Sequence, residues 1–237
     1  MDNRSFRKKL LSLVLPITFQ QLMVTVVSAS DALMVGVIGQ DMLSAVSLAS
    51  QITFVYNLFT AALTIGTSMF AAQYWGKGDK DAVERILGIV LRTSAGVSLV
   101  FFAGTACFPG MLMRIFTPDP ALIGHGSEYL RIVSVTYLMC GVSQTYLCIM
   151  KNSDLAAKSM VIGSTAALLN IALNAVLIYG LFGAPRMEAA GAAAATAVSR
   201  AVELVGVLAE LRKKERIQIR MKYILHPVPV VTRDFCH

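Results

Sequence analysis

The chain has 237 residues, of which 56% are hydrophobic and 15% charged, and it carries a formal net charge of +7. That is too apolar for a water-soluble domain, whose apolar share usually runs about 45–50%. The basic excess is divided among short stretches between apolar runs, so it makes no continuous patch for nucleic acid.

Taken in chain order, the first uncharged run covers residues 10–30 and follows Arg4, Arg7, Lys8 and Lys9. With Ser28-Ala29-Ser30 as a small-residue patch it imitates a cleavable signal, but the run is longer than the short apolar core of such a signal. A retained helix over about 10–37 is expected. Further uncharged runs cover residues 42–76, 93–113, 132–150 and 159–185. Each exceeds or approaches the roughly 20 residues that carry a helix across a hydrocarbon core. They predict helices at about 44–73, 88–112, 129–150 and 159–182. A sixth, at about 190–211, contains Arg200 and Glu203. The expected fold is an all-α membrane protein whose residues 1–211 form one lobe of six transmembrane helices. Residues 212–237 read as a basic cytoplasmic linker that stops before any seventh helix, with Pro227 and Pro229 opposing helix there.

Basic residues set the expected orientation. Lys77, Lys80 and Arg85 follow the second run, Lys151 and Lys158 the fourth, and Arg212, Lys213, Lys214, Arg216, Arg220 and Lys222 the sixth. The alternate connections hold no basic residue, Arg114 alone and Arg186 alone. By the positive-inside rule both termini are cytoplasmic, in a multi-pass protein of the cell membrane.

The chemistry-bearing residues argue against an enzyme. Cys107, Cys140, Cys148 and Cys236 form no Cys-x-x-Cys pair, and His125, His226 and His237 are scattered through loops and tail. The thiols read as core residues, and no metal set, phosphate loop or catalytic triad stands out. The polar residues inside the spans carry more information, because hydrocarbon does not solvate them. Thr53, Asn57, Thr60, Thr64 and Thr67 recur at spacings that place them on one helical face. Gln20 and Asp31 share an azimuth on the first helix, with Thr25 and Ser28 beside them. Asn170 and Asn174 stack one turn apart on the fifth. Thr196, Arg200 and Glu203 share a face of the sixth, where Arg200 and Glu203 form a self-neutralising i, i+3 pair. Four helices with a polar side predict a hydrated central cavity. The competing reading is that these groups simply join helices across a dry interface, at about 0.6–2 kcal/mol each.

Several motifs then occur in a fixed order. They are Leu15-Pro16, Asp31-Ala32-Leu33-Met34-Val35-Gly36, Ala72-Gln73-Tyr74-Trp75-Gly76-Lys77-Gly78-Asp79, Tyr129-Leu130-Arg131, Leu169-Asn170-Ile171-Ala172-Leu173-Asn174 and Ala190-Gly191-Ala192-Ala193. In order and spacing they resemble the N-terminal half of a multidrug and toxic compound extrusion (MATE) transporter. The resemblance implies a twelve-helix fold of two six-helix lobes. It further implies a secondary antiporter that exports organic cations or other amphipathic compounds in exchange for H+ or Na+. By position it assigns coupling-ion binding to Asp31, Asn170 and Thr196, with Tyr129 as a weaker match. Gln20, Thr53, Asn57, Thr60, Thr64, Tyr129 and Arg200 would line the cavity. Many members carry a second carboxylate where this chain has Asn174, whose carbonyl could ligate Na+ but cannot carry a proton. No other cofactor is implied. The expected partners are the lipid bilayer, small amphipathic or cationic substrates, and a missing C-terminal lobe or second copy. Two other readings stand beside the antiporter: a flippase-like exporter of lipid-linked precursors, and a truncated membrane protein that does not transport. Because lipid-linked cargo would favour an arginine-rich tunnel and only Arg200 lies deep, small amphipathic substrates are expected.

Overall fold

The structure, a computed structural model, describes residues 3–183, 187–213 and 217. Its helices are α1 (Asn3–Ile38), α2 (Gln40–Gly76), α3 (Lys80–Cys107), α4 (Pro109–Arg114), α5 (Pro120–Lys151), α6 (Ala156–Tyr179) and α7 (Glu188–Leu211), with a single 3-10 turn at Leu181–Gly183 between the last two. Among the described residues, six helices are long and apolar enough to cross a membrane: all but α4. Most of the proposed 212–237 linker lies outside the described residues.

The helices end where backbone chemistry changes. Asp79 caps α3 by accepting from the Ala82 N–H, and Asp119 caps α5 by accepting from Ala121. Pro120 sits at the first turn of α5, where its missing N–H has no helical partner to lose. Gly180 closes α6 in the left-handed conformation, with φ 70°. The third span departs from its expected limits. The helix begins at Lys80 instead of 88, because charged Lys80 to Arg85 continue it beyond the hydrocarbon-length run. It stops at Cys107 instead of 112, because Pro109 cannot extend it and opens the separate helix α4. The fifth span likewise ends at Tyr179, three residues before the expected 182, at the Gly180 cap. The first begins at Asn3, ahead of the expected 10, its basic start continuing the helix outside the apolar run.

The core is organised around α5, which packs on α2, α3 and α7 and holds the longest series of buried residues, including Tyr137 and Tyr146 through Met150. A hydroxyl weld joins α2, α3 and α5. The Tyr56 hydroxyl donates to the Tyr137 carbonyl at 3.0 Å and shares a hydrogen bond with Ser98 Oγ. Ser94 Oγ donates to the Gly141 carbonyl at 2.9 Å, a contact possible because Gly141 has no side chain to hold the helices apart. The rings of Tyr56 and Tyr137 meet at 4.8 Å, with Phe101 against both. On the other side α7 packs on α6, and α6 on α1. The outward faces of α1 and α2 expose Leu15, Leu22, Leu33, Phe54, Phe59, Ile65 and Met69, as hydrocarbon-facing helices do.

The α6–α7 contact depends on Gly191. A Cβ there would come within 2.8 Å of the Leu177 carbonyl oxygen, so any larger residue must push two backbones apart. Gly96, whose Cβ would meet nothing within 4 Å, is the matched control. Gly191→Ala is expected to destabilise the folded protein by about 1–3 kcal/mol, the usual range for overpacking, whereas Gly96→Ala leaves it unchanged. Thermal unfolding of both variants in detergent checks the difference.

Candidate functional site

Asp31 lies two turns before the end of α1 and faces α6. Two asparagines one turn apart on α6 present their amides to the same seam, and α7 adds Thr196 from the far side. The groups form one chain of hydrogen bonds. Asn174 Nδ2 donates both to Asp31 Oδ1 and, at 3.2 Å, to Asn170 Oδ1. Asn170 Nδ2 donates to Thr196 Oγ1 at 3.4 Å, and Thr196 donates to its own helix at the Ala192 carbonyl, 2.9 Å away. Asn174 is 0% exposed, and its Oδ1 is buried with no partner. Val35, Ile178 and Ala192 form an apolar cluster beside it.

This arrangement has definite chemical capacity. A carboxylate in an apolar setting is costly unless its charge is paired or bonded. Here one side-chain amide donates to it, the Arg200 charge acts on it from farther off, and an unused amide oxygen stands next to it. Two oxygens of this kind suit a hard cation. They also suit a proton on the carboxyl group, whose O–H would give the orphan oxygen its donor. Asn170 and Thr196 fix the direction in which the Asn174 amide points.

A second buried network lies between α5 and α7. Arg200 donates to Glu203 Oε2 at 2.7 Å, as the i, i+3 spacing predicts. Ser143 Oγ and Gln144 Nε2 of α5 donate to Glu203 Oε1 at 2.6 and 2.9 Å. Sequence reasoning found the ion pair and missed Ser143 and Gln144. Their only signal was two adjacent polar residues in an otherwise apolar run. Glu203 is thereby fully engaged, while the Arg200 side chain keeps 35% exposure.

Of the other expected site residues, Tyr129 and Arg200 lie within electrostatic reach of Asp31, and the rest do not gather round it. Thr53 is hydrogen-bonded to the Tyr137 hydroxyl of α5 at 2.9 Å. Thr60, Thr64 and Thr67 donate to carbonyls of their own helix, and Asn57 is exposed. The stripe on α2 therefore borders the α5 weld, apart from the α1–α6–α7 network. Gln20 is buried in the α1–α6 seam against Gly163, farther along the helix from Asp31. Thr25 and Ser28 are exposed and bond to carbonyls of α1. Tyr129 packs among Ile52, Val133 and Val35 in three core clusters. Two open cavities lie elsewhere. One of about 610 Å³ is lined by Arg114, Thr117, Ile123 and Ser127, and one of about 330 Å³ by Asp41, His125 and Glu188. No residue of the Asp31 network lines either.

The MatE family model matches residues 16–176, about two thirds of the chain. Multidrug resistance protein NorM of Photobacterium profundum is 30% identical over 193 residues, 81% of this chain and 42% of that protein. The uncharacterized transporter YisQ of Bacillus subtilis is 24% identical over 222 residues, 92% of this chain and 48% of that protein. The chain thus spans about half the length of the curated relatives it matches. Among solved structures, the outward-facing conformation of a multidrug resistance MATE family transporter of the MOP superfamily aligns with a TM-score of 0.83 at 21% identity, covering 94% of this chain and 49% of that one. A MATE crystal structure in the bent conformation aligns at 0.83 and 21% identity over 97% of this chain and 50% of that one. The chain therefore belongs to the MATE family, and its fold is one six-span lobe of the MATE transporter fold.

Proposed function

We propose that this lobe is the ion-coupling part of a secondary active efflux antiporter that exports small amphipathic or cationic compounds in exchange for H+ or Na+. The observation that carries this reading is the Asp31–Asn174 pair, a carboxylate and an unpartnered amide oxygen side by side in the α1–α6 seam. The relatives add support, since NorM and PmpM are described as multidrug resistance proteins. The reading also includes a facing surface, either a second six-span lobe or a second copy, because the relatives are about twice as long. The protein resides in the cell membrane with both termini cytoplasmic.

The working cycle follows from the site's electrostatics. With the ion in place, Asp31 is neutralised and Asn174 Oδ1 gains a partner, so the α1–α6 seam is satisfied in an apolar medium. When the ion leaves, the carboxylate retains the Asn174 N–H and the more distant attraction of Arg200, and rehydration or a cationic substrate supplies the rest. Coupling arises because the two occupants neutralise one charge and each disfavours the other.

Asp31→Asn keeps the shape and removes the charge. In a two-lobe protein carrying this lobe, ion-driven efflux should fall about tenfold or more, since a hydrogen bond or ion contact to a charged group contributes on the order of 1.5–3 kcal/mol. Expression and membrane insertion should stay near the parent level because losing a charge eases insertion. Efflux equal to the parent across the pH range would make Asp31 an anchor and remove the coupling assignment.

Asn174→Asp sets a second acid against Asp31. Neighbouring carboxylates titrate as a pair and hold cations more strongly than either alone. Efflux should persist, with a changed half-saturating Na+ concentration or a moved pH profile. An unaltered ion dependence would place Asn174 outside the ion site.

Orientation has its own check. Reporter fusions or cysteine labels at Gly39 and Asp119 should report the outside, and those at Gly78 and Asn152 the cytoplasm. One inversion among the four breaks the assigned topology.

A further inference from the structure

The α1–α6 seam contains a second group of orphaned polar atoms, nearer the end of the bundle that carries the N terminus. Gln20 of α1 is 7% exposed, and its Oε1 is buried with no partner. Its amide lies directly on Gly163 of α6. A Cβ at that glycine would collide with Gln20 Nε2 and come 3.1 Å from Cδ. One turn away on α6, Ser159 is 0% exposed, and its Oγ also lacks a partner.

Ser127 and Ser164 share this condition, but other hydroxyls of the lobe do not. Thr25, Ser28, Thr60, Thr196 and Ser199 each donate to the carbonyl one turn back on their own helix. That bond is available to a helical serine without any tertiary partner. Ser159 does not take it, although it is fully buried. The Gln20 amide fills the space that Gly163 leaves, and a buried amide oxygen and a buried hydroxyl one helical turn apart in the same seam are the kind of polar groups that ordered water partners.

We propose that Gln20 and Ser159 hold water inside the α1–α6 seam, and that this water is the station through which the coupling ion passes between the Asp31 site and the membrane face beside the N terminus. The route rests on the antiporter reading above; the water site does not. Gln20 and Asp31 lie on one face of α1, eleven residues or about 16 Å apart. On α6, Gly163 and Asn170 are separated by about 10 Å. The buried residue between them is Ala166, small enough to let a short file of water form when the helices loosen. Asn174 Oδ1, another orphan acceptor of the seam, stands at the far end. The ion would then move within the lobe, behind α1, while substrate keeps to the surface that faces the second lobe.

The test reads water directly. X-ray radiolysis of the 237-residue protein in lipid nanodiscs generates hydroxyl radicals from water in place, and mass spectrometry follows oxidation of a near-isosteric Ser159→Cys thiol. Native Cys148, buried and hydrogen-bonded to Ser68, is the dry reference in the same molecule. The Ser159→Cys thiol should oxidise several-fold faster than Cys148, and adding Gln20→Leu should bring the two rates together. Equal rates with Gln20 intact overturn the water site. Asp31→Asn should leave the ratio unchanged, so a failure of the coupling assignment is seen separately. In coupled efflux by a two-lobe protein, Gln20→Leu should slow turnover several-fold at saturating substrate without changing the half-saturating concentration. Unchanged turnover overturns the route.

Discussion

Hydrocarbon accepts no hydrogen bonds, and this one fact governs the lobe at every scale. It makes the six long segments helices, because only a helix closes its backbone donors and acceptors internally. It also sorts the side chains. Thr60, Thr64 and Thr67 satisfy themselves against their own backbone and can stand almost anywhere. Groups that cannot do so, such as Glu203, Asn170 and Asn174, need partners from another helix and thereby determine which helices touch.

The lobe divides accordingly into two parts of different character. Around α5, hydroxyls, aromatic rings and the Glu203 network tie α2, α3 and α7 together. Along α1 and α6, four buried side-chain oxygens go unanswered: Gln20 Oε1, Ser159 Oγ, Ser164 Oγ and Asn174 Oδ1. The aromatic contacts and the Glu203 network belong to the first part, and the Asp31–Asn174 pair to the second.

Much of this was legible in the sequence. The six spans, the pairing of Arg200 with Glu203 and the grouping of Asp31 with Asn170, Asn174 and Thr196 all follow from uncharged run length, helical spacing and family motifs. The helix limits were less legible, because charged residues such as Lys80 and Arg85 continue α3 past the apolar run while Pro109 cuts it short. The α2 stripe shows a deeper limit. Spacing puts Thr53 to Thr67 on one face but does not tell which neighbour that face meets, and the neighbour at Thr53 is Tyr137 of α5. Ser143 and Gln144 were missed for the same reason: a polar residue in an apolar run declares a partner without naming it.

The bond between Asn174 and Asp31 joins residues 143 positions apart, and that separation bears on how the protein is made. A ribosome adding roughly 5–20 residues per second needs about 7–30 s to reach Asn174 after Asp31 has been synthesised. Throughout that interval α1 is a nascent helix carrying an acid whose mate does not yet exist, and an aspartate at the centre of a span disfavours insertion by about 2.5–3.5 kcal/mol. The acid's place near the end of α1 lets the carboxylate reach the headgroup region while it waits. Biogenesis of the first helix is thus provisional until the fifth span arrives to claim it.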